Sequence, residues 1–124
     1  MKKILALAAF TLIAALYFGS CDLLAEKYTP RERMEAFIED ANAGRWLDLK
    51  QHTHPDASAV NAANPEFWQT FLKAGSTGSL SVTGTSGYFT SSSVDYKATL
   101  EEDEEDNYKI RRIIRTSDSH IVFE

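Results

Sequence analysis

The chain has 124 residues, about the size of one domain, and its 44% hydrophobic and 25% charged residues are ordinary for a globular protein. These values exclude a disordered or collagen-like chain, and the presence of only one long apolar run excludes a multi-span membrane protein. Acidic residues (18) outnumber lysine and arginine (13), and the net charge of −5 argues against nucleic-acid binding, which needs a basic surface.

Residues 1–20 have the pattern of a secretory signal peptide. Two lysines follow the first methionine, and the uncharged apolar run of residues 4–18 then ends in the small residues Gly19 and Ser20. This run is shorter than the about 20 residues of a membrane-spanning helix. We therefore expect export, cleavage after Ser20 and a mature chain that begins at Cys21, the single cysteine.

The segment around Cys21 resembles the lipobox of bacterial lipoproteins, with Phe18 where that family usually has leucine. The resemblance implies a diacylglycerol on the thiol and an acyl chain such as palmitate on the new amine, so that lipid anchors the chain to a membrane. Asp22 resembles the retention signal of enteric lipoproteins, which implies the periplasmic face of the inner membrane, with the outer membrane and the cell surface as alternatives. An idle thiol after an ordinary signal and an uncleaved anchor helix stay open as further interpretations.

The remaining sequence divides into a lipidated tether, residues 21–27, and a single domain, residues 28–124. The domain begins with a predicted helix. Thr29 and Glu32 form a T-x-x-E capping box, and Pro30 suits the first helical position.

Apolar residues recur at helical spacing along this first helix and predict its buried face, which consists of Met34, Phe37, Ile38 and Ala41. The charged residues, Asp40 among them, are expected on the opposite face, and Gly44 is expected to end the helix in a left-handed conformation. A second short helix is expected over residues 45–51. Its apolar contacts would be Trp46, Leu47 and Leu49.

A loop is expected over residues 52–64, with Pro55 as a breaker. A third helix then begins after the cap Asn64 and ends near Gly75. Its buried face would hold Phe67, Trp68, Phe71 and Leu72.

Alternation of apolar and polar residues then predicts strands. The first is centred on Leu80 and Val82, a turn covers residues 84–87, and one long strand covers residues 88–100. The long strand would place four residues on one face, namely Val94, Tyr96, Ala98 and Leu100.

An acidic run, residues 101–106, leads through Asp106-Asn107 into a strand over Tyr108–Arg115. The alternation of that strand breaks at Arg111-Arg112, which indicates a bulge or burial on both faces. Residues 116–119 are expected to turn, and residues 121–123 form a terminal strand. Helices followed by a meander predict an α+β fold, with N-terminal helices packed on one face of a curved antiparallel sheet.

This order of elements resembles the nuclear transport factor two-like superfamily with its cystatin-like cone. The resembling segments are Asn42-Ala43-Gly44-Arg45-Trp46, His54-Pro55-Asp56 and Tyr108-Lys109-Ile110, within residues 28–124. The resemblance implies a concave sheet closed by helices, often with a pocket, and frequent dimers through the sheet. Some members are isomerases, dehydratases or cyclases and many bind without catalysis, but no catalytic motif of an enzymatic member matches this chain.

Two histidines and an aspartate lie close together in the loop after the second helix. His52 and His54 could hold zinc, or His54 and Asp56 could act as acid and base. Zinc usually needs further protein ligands, however, and Cys21 lies outside the domain. The preferred interpretation is a structural loop in which Asp56 caps a turn.

Three further features have a structural and a functional interpretation. The acidic run could attract calcium, but it lacks the spacing of a calcium loop and is expected to be a solvated hairpin tip. Arg112 could point inward and bind an anion, or face acidic residues across the sheet. Tyr96 and Trp68 could line a ligand pocket or belong to the core.

The sequence has none of the local motifs of a hydrolase nucleophile, a phosphate-binding loop or a zinc protease. We expect a non-catalytic domain that binds a small ligand or an envelope protein, with Arg112, Tyr96 and Trp68 as binding residues and no cofactor. A small-molecule isomerase or hydrolase that uses His54 and Asp56 is the alternative. A homodimer is left open.

Overall fold

The computed structural model describes residues 27–124. The predicted signal peptide and the lipidation of Cys21 therefore lie outside the described residues. The helical elements are α1 (Pro30–Asn42), a 3-10 helix (Trp46–His52), α2 (Ala59–Ala62) and α3 (Pro65–Trp68). The strands are β1 (Thr77–Thr83), β2 (Ser86–Ser91), β3 (Val94–Glu102), β4 (Tyr108–Arg115) and β5 (His120–Phe123). No helix within this range is long and apolar enough to cross a bilayer.

Helix α1 begins and ends as predicted. The Thr29 hydroxyl accepts a hydrogen bond from the Glu32 amide, and the Glu32 carboxylate accepts one from the Thr29 amide, which satisfies two free donors of the first turn. Gly44 follows the helix with a φ of +73°, a conformation that glycine adopts without strain. Asp40, however, is buried, so its predicted exposure is wrong; it bonds to side chains from outside the helix.

The segment predicted as a second helix is a 3-10 helix. With three residues per turn, Trp46, Leu49 and His52 share one side, and Leu49 and His52 are buried. The prediction that Leu47 makes core contacts is wrong, because this geometry turns it outward and leaves it 71% exposed.

Of the two helices that follow, α2 was not predicted and α3 is shorter than predicted. The expected loop of residues 52–64 contains α2, whose first turn is capped by the Ser58 hydroxyl. Asn64 caps α3 as predicted, but the helix ends at Trp68 and irregular turns continue to Gly75. Trp68 is fully buried there, as expected of the core.

The five strands form one antiparallel sheet in the order β1-β2-β3-β4-β5. The single long strand predicted over residues 88–100 is wrong, because the chain reverses at Ser92 and Ser93, with φ values of 51° and 68°. Two-residue hairpin turns of this kind usually carry asparagine or glycine, so the two serines gave no turn signal.

The turn before this hairpin is also shorter than predicted, since Gly87 belongs to β2. A Cβ atom at Gly87 would lie 2.7 Å from Cγ of Met34. A side chain at this position would therefore force Met34 to shift, and the glycine lets α1 pack closely on β2.

The predicted bulge in β4 is confirmed. Thr99 pairs with Arg112, whereas its neighbour Leu100 pairs with Ile110, so Arg111 is the extra residue. The bulge shifts the alternation by one position and lets Ile110 and Ile113 both enter the core.

The helices pack against one face of the sheet, and the predicted α+β class is confirmed in this respect. The core is rich in aromatic rings that meet edge to face, such as Phe37 on Trp68 and Phe37 on Phe89. The architecture is compatible with the cystatin-like, nuclear transport factor two-like fold.

Candidate functional site

His52 lies at the centre of a buried polar network that joins α1 to the 3-10 helix. Arg33 donates to His52 Nδ1 across 2.9 Å, and His52 Nε2 lies 2.8 Å from a carboxylate oxygen of Asp40. Because a guanidinium only donates, Nδ1 must accept, and the imidazole proton is therefore assigned to Nε2. Neither Asp40 nor Arg33 stood out in the sequence as a partner of a histidine.

Burial lowers the pKa of His52, and the charge of Arg33 lowers it further, although the hydrogen bond to Asp40 acts in the opposite direction. His52 is thus held neutral. Burial by itself raises the pKa of Asp40, but hydrogen bonds from His52 and Arg45 outweigh it, so the pKa lies below its usual value. Asp40 is thus held ionised.

Arg33 extends the network to the start of β4. Its Nε donates to the carbonyl of Tyr108 across 2.8 Å and its Nη2 to the side-chain oxygen of Asn107 across 3.0 Å. The guanidinium also lies 4.2 Å from the centre of the Tyr28 ring. These bonds hold the beginning of the domain against the β3–β4 turn, and they give the network a structural role.

The two histidines that the sequence offered as zinc ligands both bond to other groups of the protein. His52 belongs to the network just described. His54 Nε2 lies 3.0 Å from the carbonyl oxygen of Glu102, and Nδ1 accepts from the Asp56 amide across 3.0 Å. The ring nitrogens of His52 and His54 therefore face different partners. Within residues 27–124, no group of three or more His, Cys, Asp and Glu side chains could hold a metal ion.

His54 and Asp56, the alternative acid–base pair, lie near each other. The carboxylate of Asp56 is 76% exposed and lies 3.9 Å from Nδ1 of His54. His54 also lines a shallow groove of about 490 Å³ together with Leu47 and Lys50. Both ring nitrogens already bond to backbone groups, so a proton transfer from this imidazole would require one of those bonds to open.

The acidic run after Leu100 forms the end of β3 and the following turn. Asp103 accepts hydrogen bonds from the amides of Glu105 and Asn107 and pairs with Lys109 across 3.2 Å. Burial alone would raise the pKa of Asp103, but these bonds outweigh it and lower the pKa. The carboxylate thus organises the turn.

The three predicted binding residues are not brought to one place. Arg112 is exposed and pairs with Glu124. Trp68 is fully buried, and its indole nitrogen donates to the carbonyl of Ala62 across 2.9 Å. Tyr96 alone lines a groove.

This groove, which we call the hairpin groove, has a volume of about 570 Å³. It lies between the segment after α3 and the β2–β3 hairpin. Its lining residues are Trp46, Gln69, Thr70, Phe71, Leu72, Lys73, Ala74, Ser91, Ser92, Val94 and Tyr96. Such a mixture of aromatic faces and a few polar groups is typical of small-molecule sites.

Hydrogen bonds hold the two walls of the groove together. The Ser91 hydroxyl accepts from the Lys73 amide across 2.9 Å and lies 2.8 Å from the Thr77 hydroxyl. The Tyr96 hydroxyl donates to the carbonyl of Phe71 across 3.3 Å, and burial raises the pKa of that hydroxyl. The sequence pattern placed Ser91 and Ser92 inside a strand, which is why the groove itself was missed.

Compared with models of known protein families, with curated proteins and with solved structures, the chain matches none of them.

Proposed function

We propose that the chain is an exported lipoprotein, anchored through lipid on Cys21, whose α+β domain binds a small ligand in the hairpin groove without catalysis. The observation that carries the binding proposal is the groove itself, with Trp46, Phe71 and Tyr96 around an open volume of about 570 Å³. The anchor rests on the lipobox-like segment at Cys21. A protein partner from the envelope is the competing occupant.

The composition of the lining supports binding rather than catalysis. Among residues 27–124, no carboxylate and no imidazole line the hairpin groove; its titratable side chains are Tyr96, which donates its hydroxyl proton to Phe71, and Lys73, which is exposed. General acid–base chemistry needs a titratable group within reach of the substrate. The His54–Asp56 alternative lacks a free imidazole nitrogen, because both nitrogens of His54 are bonded.

The anchor is tested by the mass of the full chain expressed in a bacterial host. We expect loss of residues 1–20, acyl chains on Cys21 and recovery in the membrane fraction. Cys21→Ser is the matched variant, and we expect it to carry no lipid. An unmodified Cys21 in a chain that is nevertheless cleaved would contradict the lipoprotein proposal.

Ligand binding is tested by native mass spectrometry of the same full chain released from detergent. We expect a small molecule to be retained, and we expect Tyr96→Ala to lose it while the exposed variant Arg112→Ala keeps it. Retention of a protein instead of a small molecule would favour the envelope partner. Equal retention by both variants would place the site elsewhere.

A further inference from the structure

We infer that the hairpin groove takes a small organic anion, a carboxylate with a flat apolar body. This inference deepens the proposed function and depends on it, because it names the class of ligand for the same groove. It rests on three observations: the charge of the lining, the hydrogen-bond donors that remain unused there, and the aromatic faces between them.

The charge of the lining is opposite to that of the chain. The chain carries 18 acidic residues and a net charge of −5, yet no acidic residue of the range 27–124 lines the groove. Lys73 is the single charged residue of the lining; it is exposed and forms no salt bridge within residues 27–124. An anion bound there would meet an unpaired cation and no like charge.

The donors left unused in the groove are suited to an acceptor. Nε1 of Trp46 and the hydroxyl of Ser92 make no side-chain hydrogen bond within residues 27–124. The amide nitrogen of Gln69 and the hydroxyls of Thr70, Ser91 and Tyr96 are already engaged, and the side-chain oxygen of Gln69 is the one acceptor among these groups that can take no part in binding a carboxylate. An indole nitrogen can only donate and an ammonium can only donate. A carboxylate, which only accepts when ionised, complements this set.

The apolar part of the ligand would lie against the rings. Trp46 and Phe71 are half-buried, so each keeps part of its surface open to the groove, and Val94 adds an aliphatic contact. Flat apolar groups stack on such surfaces or meet them edge to face. The body of the ligand is therefore expected to be planar rather than extended and flexible.

The test is a tryptophan fluorescence titration of the purified full chain in nonionic detergent. Phenylacetate is the anionic probe, and phenylacetamide is its neutral counterpart of nearly equal shape. Trp46 lines the groove and Trp68 is fully buried, so we expect the response to come from Trp46 and to vanish in Trp46→Phe. We expect phenylacetate to bind about 3- to 5-fold more tightly, as for an exposed ion pair.

Two lysine variants separate the site from a general charge effect. Lys73→Gln should remove the preference for phenylacetate over phenylacetamide and leave the affinity for the amide unchanged. Lys50→Gln removes another exposed lysine, one that does not line the groove, and it should keep the full preference. Raising the salt concentration should reduce the preference in the parent chain, because salt screens exposed charges.

The outcomes distinguish the inference from the proposed function. Equal binding of the two probes, or equal loss of preference in both lysine variants, would overturn the inference that the ligand is an anion. The proposal that the groove binds a ligand would then remain. If neither probe changes the Trp46 signal, the inference is overturned, and native mass spectrometry of the same sample then decides the rest. A retained neutral molecule would keep the proposed function, whereas no retained molecule would end both.

Discussion

The buried network around His52 and the hairpin groove use charged and aromatic side chains in opposite ways. In the network, Arg33 and Asp40 both bond to His52 and leave neither ring nitrogen of the histidine free. In the groove, the rings line open volume and the one charged residue, Lys73, has no ion-pair partner in the described range. Titratable groups with altered pKa values are often interpreted as functional sites, but the altered pKa values of His52 and Asp40 belong to a structural network.

The 3-10 helix connects the two regions. His52 at its end belongs to the network, and Trp46 at its beginning lines the groove. Substitutions in the network should therefore act mainly on stability, and substitutions in the groove mainly on binding. Four predictions test this division.

The largest effect is expected from Arg33→Ala. This change leaves Nδ1 of His52 without its donor and removes the guanidinium donor from the Tyr108 carbonyl and from the Asn107 side-chain oxygen, to which the Tyr28 amide still donates. Breaking such a buried network should lower the free energy of unfolding by about 3 kcal/mol or more, measured by urea denaturation.

Arg31→Ala is the matched control on the same helix. Arg31 forms an exposed pair with Glu35 at 3.9 Å, and its loss should change the free energy of unfolding by less than about 0.5 kcal/mol. Similar losses in the two variants would contradict a structural role of the network.

Lowering the pH from 7.5 to 5 should destabilise the protein through His52, at pH values above those at which carboxylates are usually protonated. The pKa of His52 is lowered in the folded state, so below about pH 6.5 the unfolded chain binds a proton that the folded chain does not. The contribution of His52 is thus present at higher pH and is lost as the pH falls. Through His52 alone, the free energy of unfolding should fall by at most about 1.4 kcal/mol for each pH unit. At lower pH, the contribution of Asp40 is lost as well, because its folded pKa is also lowered.

The check is urea denaturation between pH 7.5 and pH 5. His52→Gln preserves one acceptor and one donor without an imidazole, so it should flatten the curve. His120→Gln removes an exposed imidazole and should leave the slope in place. An unchanged slope in His52→Gln would show that another group is responsible.

A smaller effect, of opposite sign, is expected at the hairpin that forms one wall of the groove. Ser93 has a φ of 68°, which costs energy for a residue with a side chain. Ser93→Gly should therefore stabilise the protein by about 0.5–1 kcal/mol. The increase should appear as a higher urea midpoint, with binding of the groove probe retained.

Ser81→Gly provides the comparison for this hairpin variant. Ser81 is an exposed residue of β1 whose φ is not positive, and glycine there should destabilise by about 0.5–1 kcal/mol. A loss of stability in Ser93→Gly as well would mean that the turn is not strained.

The smallest effect is expected from Arg112→Ala. Arg112 is exposed, and its pair with Glu124 should contribute less than about 0.5 kcal/mol to stability. Because the residue does not line the hairpin groove, phenylacetate binding should also be unchanged. A large loss of binding would place the ligand on the outer part of the sheet rather than in the groove.

Part of the fold could be predicted from local patterns. The capping box of Thr29 and Glu32 and the cap at Asn64 depend on residues within a few positions, so their sequence signals were sufficient. The break in alternation at Arg111-Arg112 correctly indicated a bulge. The Ser92-Ser93 turn was missed because its conformation is imposed by the pairing of β2 with β3 rather than by the preference of serine.

The candidate site was less predictable. Tyr96 and Trp68 were both offered as binding residues; both are buried, and Tyr96 borders the hairpin groove whereas Trp68 does not. Aromatic residues at buried spacing carry no local sign of whether a void lies beside them. The pattern of two nearby histidines likewise could not show that one faces Arg33 and the other a backbone carbonyl.

The sequence by itself determined that helices precede strands, the ends of α1, the position of the bulge and the α+β class, since these depend on spacing and on contacts between near neighbours. Only the tertiary structure decided which charged groups are buried and which aromatic rings stay open. Arg33 and Asn107 are 74 positions apart, and the two walls of the groove come from separate segments. Burial and open volume arise from such distant pairings, and no local pattern records them.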